Sequence, residues 1–527
     1  MKVNVNNLIV PLKVNQNKHL LGLLEKMGIG KSDVERIDYM KRSIDSRKKS
    51  DIKLVYNIQV TLKEGSKIPD SPQINLAKED KRIEKKAVYP KNSRIGIIGT
   101  GPAGLFAAYR LSQLGYSPLI FGRGEMVDER DRSIQKFISQ GILNGDSNIQ
   151  FGEGGAGTYS DGKLNTRIKS GYIDEVFQIL VECGAQEEIL WDYKPHIGTD
   201  VLKVVVKNLR EKIKSMGGKF YFSHKLEDVM VQDGRVAATD IKNSEGGMER
   251  IPLDYLLLAT GHSARETYRM LHKKGVAMEN KPFAVGARIE HSREFIDRMM
   301  FGESAGDEKL GTATYTLTHN NRAEERGIFS FCMCPGGVIV NAASEEGGTL
   351  VNGMSYSDRM GKYSNSALVV AVKAHEMGEH LFSGMEFQEK LEKKAYQMAG
   401  YGGVYQNSED FVKGVKSKKI SGSSYEMELH SGDLNELLPE FVTENMKSAL
   451  TYWNKIHRGF MGREANLIGP ETRTSAPVQI TRDLKGESVT LRGLYPIGEG
   501  AGYAGGITSA AVDGLKVVDL SFSFEVQ

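Results

Sequence analysis

RIGIIGTGPAGLFAAYRLSQLG, residues 94–115, decides how the rest of the chain is read. Ile95, Ile97 and Ile98 form a short apolar run that ends at Gly99-Thr100-Gly101-Pro102-Ala103-Gly104. Leu105, Ala108, Leu111 and Leu114 then recur at helical spacing up to Gly115. The pattern is strand, turn, helix. In that frame Gly99 permits the tight turn, Gly101 and its neighbours Pro102 and Ala103 let a pyrophosphate approach the backbone, and Gly104 lets helix and strand pack closely. The phosphates would face the positive end of the helix. A glycine-rich turn can also be merely structural, and the flanking strand and helix favour the dinucleotide reading.

A chain of 527 residues holds two to four domains at the usual ~100–200 residues each. Its charged fraction of 26% is that of an ordinary globular protein. No apolar run reaches the ~18 residues of a membrane span, and the opening MKVNVNNLIVPLKV lacks the apolar centre of a signal peptide. The expected location is the cytoplasm. Cys183, Cys332 and Cys334 cannot build a disulfide framework, which agrees with a reducing compartment.

Basic residues outnumber acidic ones over the first 94 positions, so this segment reads as a separate unit, a small α/β domain over 1–65. Residues 18–27, KHLLGLLEKM, read as an amphipathic helix, Ser32-Asp33-Val34-Glu35 as a helix-starting capping box, and 52–62 as a half-buried strand with Ile52, Leu54, Tyr56, Ile58, Val60 and Leu62 on one face. Residues 41–49, KRSIDSRKK, carry five basic side chains in nine, a footprint that nucleic acid could use. No aromatic residue interleaves them, and a solvated loop or sheet edge is the favoured reading. The polar stretch 66–93, with Pro69, Pro72, Pro90 and the charged AKEDKRIEKK, reads as a linker or a surface-hugging strap.

After the fingerprint, 116–121 reads as a second parallel strand. It runs into Gly122-Arg123-Gly124, where a dinucleotide fold ordinarily ends the strand in an acid for the adenosine ribose. Gly122 stands at the acid's place, and Glu125 would reach the ribose only through a rearranged turn. Residues 151–165, FGEGGAGTYSDGKLN, suit a loop lying flat on a ligand with its N–H groups exposed, the alternative being a mobile surface loop. Helices are expected over 171–183 and 199–216, the second capped by Thr199, a meander over 219–241 turning at Asp233-Gly234, and a buried strand over 255–261.

The fingerprint, the meander, Ala259-Thr260-Gly261 and the C-terminal 494–502, LYPIGEGAG, occur in the order found in FAD-dependent flavoproteins of the glutathione-reductase structural class. The whole chain resembles the bacterial family of FAD-dependent, or NAD(FAD)-utilising, dehydrogenases. Ser43-Ile44-Asp45-Ser46-Arg47, the 152–164 loop, Cys332-Met333-Cys334-Pro335-Gly336-Gly337 and Glu471-Thr472-Arg473-Thr474-Ser475 carry that likeness. It implies an α/β fold: a Rossmann-like FAD-binding domain with a β-meander, built from 94–285 and 466–527, an α+β substrate or cap domain inserted over 286–465, and the small N-terminal domain. It also implies noncovalent FAD held through Arg123, Gly155, Lys163, Leu164, Thr260, Gly261, Gly498, Glu499, Gly500, Ala501, Gly506 and Ile507 in addition to the fingerprint. Glu499 would take the place of the class's ribityl-binding or phosphate-binding Asp, and the helix opening at Gly506-Ile507 would face the flavin's pyrimidine end.

The expected function is a two-electron oxidoreductase acting on a small molecule. The alternatives are a nucleic-acid-associated flavoprotein and a flavin-binding regulator without turnover. No second fingerprint marks a nicotinamide domain, so NAD(P)H would serve only as a transient donor at the open flavin face. Residues 329–340 read as a hairpin-like pair of strands broken at Pro-Gly-Gly. Cys332 and Cys334 supply two thiolates where structural zinc wants four ligands, so no metal is expected; they are candidate redox groups or plain packing. Arg473 would hold a substrate anion or make an internal ion pair. Arg288, His291, His319 and His457 read as structural polar groups.

Overall fold

The computed structural model describes residues 1–77 and 84–526, so the middle of the charged run expected in the linker, 78–83, lies outside the described residues. Five short parallel strands form the sheet that carries the fingerprint, in the order Leu494–Pro496, Tyr255–Leu258, Ile95–Ile98, Leu119–Gly122, Lys219–Phe222. Ile95, Ile97, Leu256 and Leu257 are wholly buried, as expected for a sheet covered on both faces. One face carries the helices Pro102–Gln113 and Ile507–Phe522, and these touch so closely that a Cβ on Gly514 would sit 2.3 Å from the Ala103 carbonyl oxygen. The other face meets an antiparallel trio, Lys225–Gln232, Arg235–Lys242 and Met248–Pro252.

The expected meander over 219–241 therefore divides. Lys219–Phe222 leaves it for the edge of the parallel sheet, where Tyr221 stacks on Phe121 with ring centroids 5.0 Å apart. The turn at Asp233-Gly234 does join the first two antiparallel strands.

A second large sheet has the order Thr318–Asn321, Arg326–Cys334, Tyr363–Ala371, Ala284–Ser292, Asn466–Glu471, Gly403–Asn407, Leu429–Ser431, antiparallel except for its last pair. Asn466–Glu471, expected in the cofactor-binding part, is one of its inner strands. The expected hairpin over 329–340 is absent: Arg326–Cys334 pairs with Tyr363–Ala371, whereas Val338–Asn341 pairs with Val351–Met354. The Pro-Gly-Gly turn lets the chain leave one sheet for another, since Gly336 takes φ 49° and lies against the Arg359 carbonyl.

The N-terminal unit is a four-stranded sheet ordered Val34–Asp45, Lys53–Leu62, Lys2–Pro11, Ile74–Leu76 beside the helix Gln16–Lys26, which Asn15 caps. The six alternating residues from Ile52 to Leu62 are buried as expected. The capping box is overturned: Lys31–Asp33 makes one tight turn, and Val34 opens a strand because pairing with Lys53–Leu62 outweighs the local helix signal. The basic stretch lies on this edge strand and its following turn. Arg42 is spent on Asp192 at 2.7 Å and on the face of Trp191, docking the unit onto the cofactor-binding part. The apolar core of the N-terminal sheet also runs on into that of the seven-stranded sheet. Among the described residues no helix is long and apolar enough to cross a membrane.

Candidate functional site

The cleft opens at the carboxyl ends of the parallel strands, the place where open α/β sheets bind ligands, and encloses about 360 Å³. Each fingerprint glycine is there for its own reason. Gly99 has φ 110°, and a Cβ on it would lie 2.1 Å from the Ala259 carbonyl oxygen. A Cβ on Gly104 would lie 2.0 Å from the Gly99 carbonyl oxygen. Gly101 has an ordinary φ of −78°, and a Cβ there would meet nothing nearer than Gly155 Cα at 3.8 Å. Neither backbone strain nor a close contact at Cβ asks for glycine at 101, and a side chain there would enter the cleft.

Two helix starts converge on this space, Pro102–Gln113 behind Gly101 and Ile507–Phe522 behind Gly506. The first-turn N–H groups of each have no acceptor within the helix and carry its positive end.

The loop 151–165 is anchored at several points. Arg130, fully buried, donates from Nε to the Asn148 carbonyl, from Nη1 to those of Glu153 and Gly155, and from Nη2 to that of Ile149. Burial lowers the guanidinium pKa to about 10. Thr508 Oγ1 donates to the Leu164 carbonyl at 2.8 Å, tying the loop to the second helix start. Thr199, expected as an N-cap, instead donates to the Thr158 carbonyl at 2.7 Å, and Gly198 precedes the helix Thr199–Ser215. One lone arginine in a helical pattern gave no sign of this part in the sequence.

Most of the expected cofactor residues line the cleft: Gly99, Gly101, Pro102, Ala103, Arg123, Gly155, Lys163, Thr260, Gly261, Glu499, Gly506 and Ile507. Five stand behind the wall. Gly104 and Leu164 serve as just described, Gly498 donates its N–H to Asp513 at 2.7 Å, the Gly500 carbonyl accepts from Tyr268 at 2.6 Å, and Ala501 is buried.

The departure at Gly122 has a steric cause. A Cβ there would approach Thr100 Cγ2 at 3.0 Å and Oγ1 at 3.1 Å. Glu125 does not substitute: its carboxylate accepts from Ser133 at 2.6 Å. A different acid stands in the cleft wall. Glu266, in the first turn of the helix Arg265–Lys273, accepts from Arg123 Nη1 at 2.7 Å, and Arg123 lies over the Phe151 ring at 4.1 Å.

At the far end Glu499 faces His262 across 3.8 Å. Burial pushes the Glu499 carboxyl up to about 7, and burial together with the charges of Arg473 and Arg265 pulls His262 down to about 4. Arg473 lines the cleft and makes the internal ion pair. Its Nε and Nη2 donate to Glu392 at 3.0 and 2.7 Å and its Nη1 to Ser344 at 2.6 Å, while Arg265 grips the same carboxylate. Phe331 and Cys332 bring the large sheet into the wall, and Asn352 brings the two-stranded sheet of Val338–Asn341 and Val351–Met354. Behind them Arg288, fully buried, lies 3.3 Å from Glu471.

Burial, opposed by Arg288, pushes the Glu471 carboxyl up to about 7. An unfolded glutamate ionises near pH ~4.3. The protonated side chain thus favours the folded state below that value, and the contribution is lost as pH rises through about 7. Glu471→Gln is expected to gain on the wild type by roughly 2–3 kcal/mol between pH 5 and 8 in urea unfolding. Parallel pH profiles for the two proteins would refute the assignment.

The groups present fit FAD: a glycine open only toward the cleft, two helix starts for the pyrophosphate and the ring, and an acid near the adenosine end. A model of the pyridine nucleotide-disulphide oxidoreductase family matches residues 93–297, one of the FAD-dependent protein C-terminal domain matches 282–474, and one of a domain of unknown function matches 1–61. An uncharacterised protein of Clostridium beijerinckii is 43% identical over 98% of both chains. Among solved structures, a myxobacterial FAD-dependent halogenase is similar at 10% identity over 82% of this chain and 73% of its own, with TM-score 0.38. A geranylgeranyl bacteriochlorophyll reductase-like protein of Thermoplasma acidophilum is similar at 12% over 80% and 76%, with TM-score 0.35. Two cofactor-family models meeting end to end across 93–474, and a relative alike over nearly its whole length, establish that the chain belongs to the family of FAD-dependent proteins and is an oxidoreductase.

Proposed function

We propose that the cleft holds one noncovalent FAD, adenosine toward Arg123 and Glu266 and ring toward Glu499 and Ile507, and that a small-molecule substrate reaches the ring from the side of Phe331, Cys332 and Asn352. The observation that carries this is Gly101, a glycine with ordinary backbone and no packing reason to lack a side chain. When bound, FAD supplies two-electron redox chemistry.

The chain's own part is to bind and orient. Ala103 and Gly104 offer N–H groups to the pyrophosphate, and Glu499 accepts from ribityl hydroxyls. Its raised pKa lets it hold or give up a proton near neutrality. The start of the helix at Ile507 places positive potential where charge gathers on the ring. Lys163 adds a cation to the same wall, and Arg130 keeps the loop that bears it rigid.

The domain division is a small unit over 1–65, a linker over 66–93 that lends Ile74–Leu76 to that unit's sheet, a cofactor domain from 94–285 with 466–527, and a substrate or cap domain between, whose large sheet takes in Asn466–Glu471. NAD(P)H serves as a transient electron donor at the ring. The reducing cytoplasm is the location that suits three free cysteines. The test is an absorbance spectrum of purified protein followed by anaerobic titration with NADH and NADPH. A flavin spectrum at one FAD per chain is expected, and protein that cannot be loaded with FAD would end this reading.

Glu266 replaces the missing strand-end acid in the proposal, accepting from the adenosine ribose while Arg123 fixes its carboxylate. A hydrogen bond to a charged group contributes about 1.5–3 kcal/mol. Glu266→Ala is therefore expected to weaken FAD binding by about 10–100-fold in fluorescence titration, leaving FMN binding unchanged because FMN has no adenosine. Equal losses for the two ligands would mean that Glu266 only braces Arg123.

A further inference from the structure

Residues two apart in a regular strand are held ~6.6 Å apart, while a disulfide needs β-carbons about 3.5–4.5 Å apart. Cys332 and Cys334 escape that constraint. Pairing of Arg326–Cys334 with Tyr363–Ala371 slips between Phe331 and Cys334, and Cys332 takes φ 44°, the left-handed region that a non-glycine residue enters at a cost. The bulge puts the two thiols near enough for each to shift the other's ionisation, and Cys334 Sγ donates to the Cys332 carbonyl at 3.3 Å.

The pair spans the cleft wall. Cys332 lines the cleft, and Cys334 is buried behind it, with Gly337 and Gly353 leaving it just enough room. Arg288 donates to the Cys332 carbonyl and lies 3.8 Å from Cys334 Sγ, and Lys163 stands in the same wall. The other charged groups around the pair are Asp161, Glu471 and Glu499.

We propose that Cys332 and Cys334 are a redox-active dithiol that closes to an intramolecular disulfide at the ring end of the cleft, a second two-electron centre beside the flavin. Cys332, facing the cleft, is the attacking thiol, and Cys334, behind it, resolves. The neighbouring Cys334 thiol, with Lys163 and Arg288, pulls the Cys332 thiol down despite its burial, while Cys332 and burial push Cys334 up. With a small-molecule disulfide RSSR as oxidant the exchange balances. The Cys332 thiolate attacks one sulfur, expelling RS⁻; the Cys334 sulfur then attacks Cys332, expelling the second RS⁻. Two protons from the protein thiols go to the two leaving groups, giving two RSH and one protein disulfide. In the holoprotein the same two electrons are available to the flavin.

Two measurements test the pair on the full-length protein. In apo and holo samples equilibrated with oxidised glutathione, thiols counted after denaturation should fall from three to one, Cys183 remaining, and peptide mapping should join Cys332 to Cys334. Cys332→Ser and Cys334→Ser should each keep Cys183 and prevent the internal disulfide. Anaerobic reductive titration of disulfide-form holoprotein should then consume ~4 electrons per flavin, against ~2 in either variant. The electron count rests on the flavin reading above and the thiol count does not, so failure of one is told from failure of the other. Three thiols persisting at glutathione levels that oxidise a free dithiol would overturn the proposal, and so would equal electron counts in wild type and variants.

Discussion

Gly101→Leu is expected to give a folded protein that no longer retains flavin. The new side chain enters the cleft where the pyrophosphate would lie, and with φ at −78° and no atom but Gly155 Cα within 4 Å of the new Cβ, the fold gives no resistance. Losing two charge-assisted hydrogen bonds at about 1.5–3 kcal/mol each corresponds to a ~100-fold or greater drop in affinity. The ratio of flavin to protein absorbance after gel filtration measures it, with circular dichroism as the control for folding. Gly99→Ala makes the contrast, because its Cβ would stand 2.1 Å from the Ala259 carbonyl oxygen and disturb the sheet itself. A Gly101→Leu protein that keeps its flavin would remove the argument from which the site was built.

The second large effect is expected at Glu392. Its buried carboxylate receives Arg265, Arg473 and the Thr472 hydroxyl, joining the helix Ser383–Ala399 to both segments that return the chain to the cleft. Against the burial that would raise its pKa, the two guanidinium groups hold the carboxyl far below the usual range. Glu392→Ala leaves two buried arginines facing one another, and breaking a buried pair in this way costs about 3–5 kcal/mol. Urea unfolding followed by the emission of buried Trp453, in a Trp191→Phe background, gives the number. A loss below about 1 kcal/mol would show that water or Glu345 replaces the carboxylate.

Legibility followed locality. The fingerprint could be read because the strand, three glycines and the helix lie within 22 residues, and each glycine's role is fixed by its immediate neighbours. The strand ending at Leu62 could be read because alternation is a local pattern. Glu266, the acid proposed for the adenosine ribose, could not, since it stands 143 residues from the Arg123 it pairs with and belongs to an unremarkable helix start. Arg130 was invisible for the same reason: its four carbonyl partners are made by the fold, not by sequence spacing. The capping box at 32–35 misled because a strand partner, unseen in a single sequence, outbid it. Arg473 had two readings of equal weight until Glu392, far away in the chain, took its donors.

The strand order of the parallel sheet also sets a timetable. Ile95–Ile98 leaves the ribosome about 400 residues before Leu494–Pro496, the strand that completes its sheet, and before the helix start at Ile507 that forms one wall of the cleft. At ~5–20 residues per second the fingerprint waits for roughly 20–80 seconds with its neighbours unmade. A ribosome that stops anywhere within the large antiparallel sheet thus leaves a product with a complete fingerprint but without the strand Leu494–Pro496 and the helix start at Ile507 that complete the cleft.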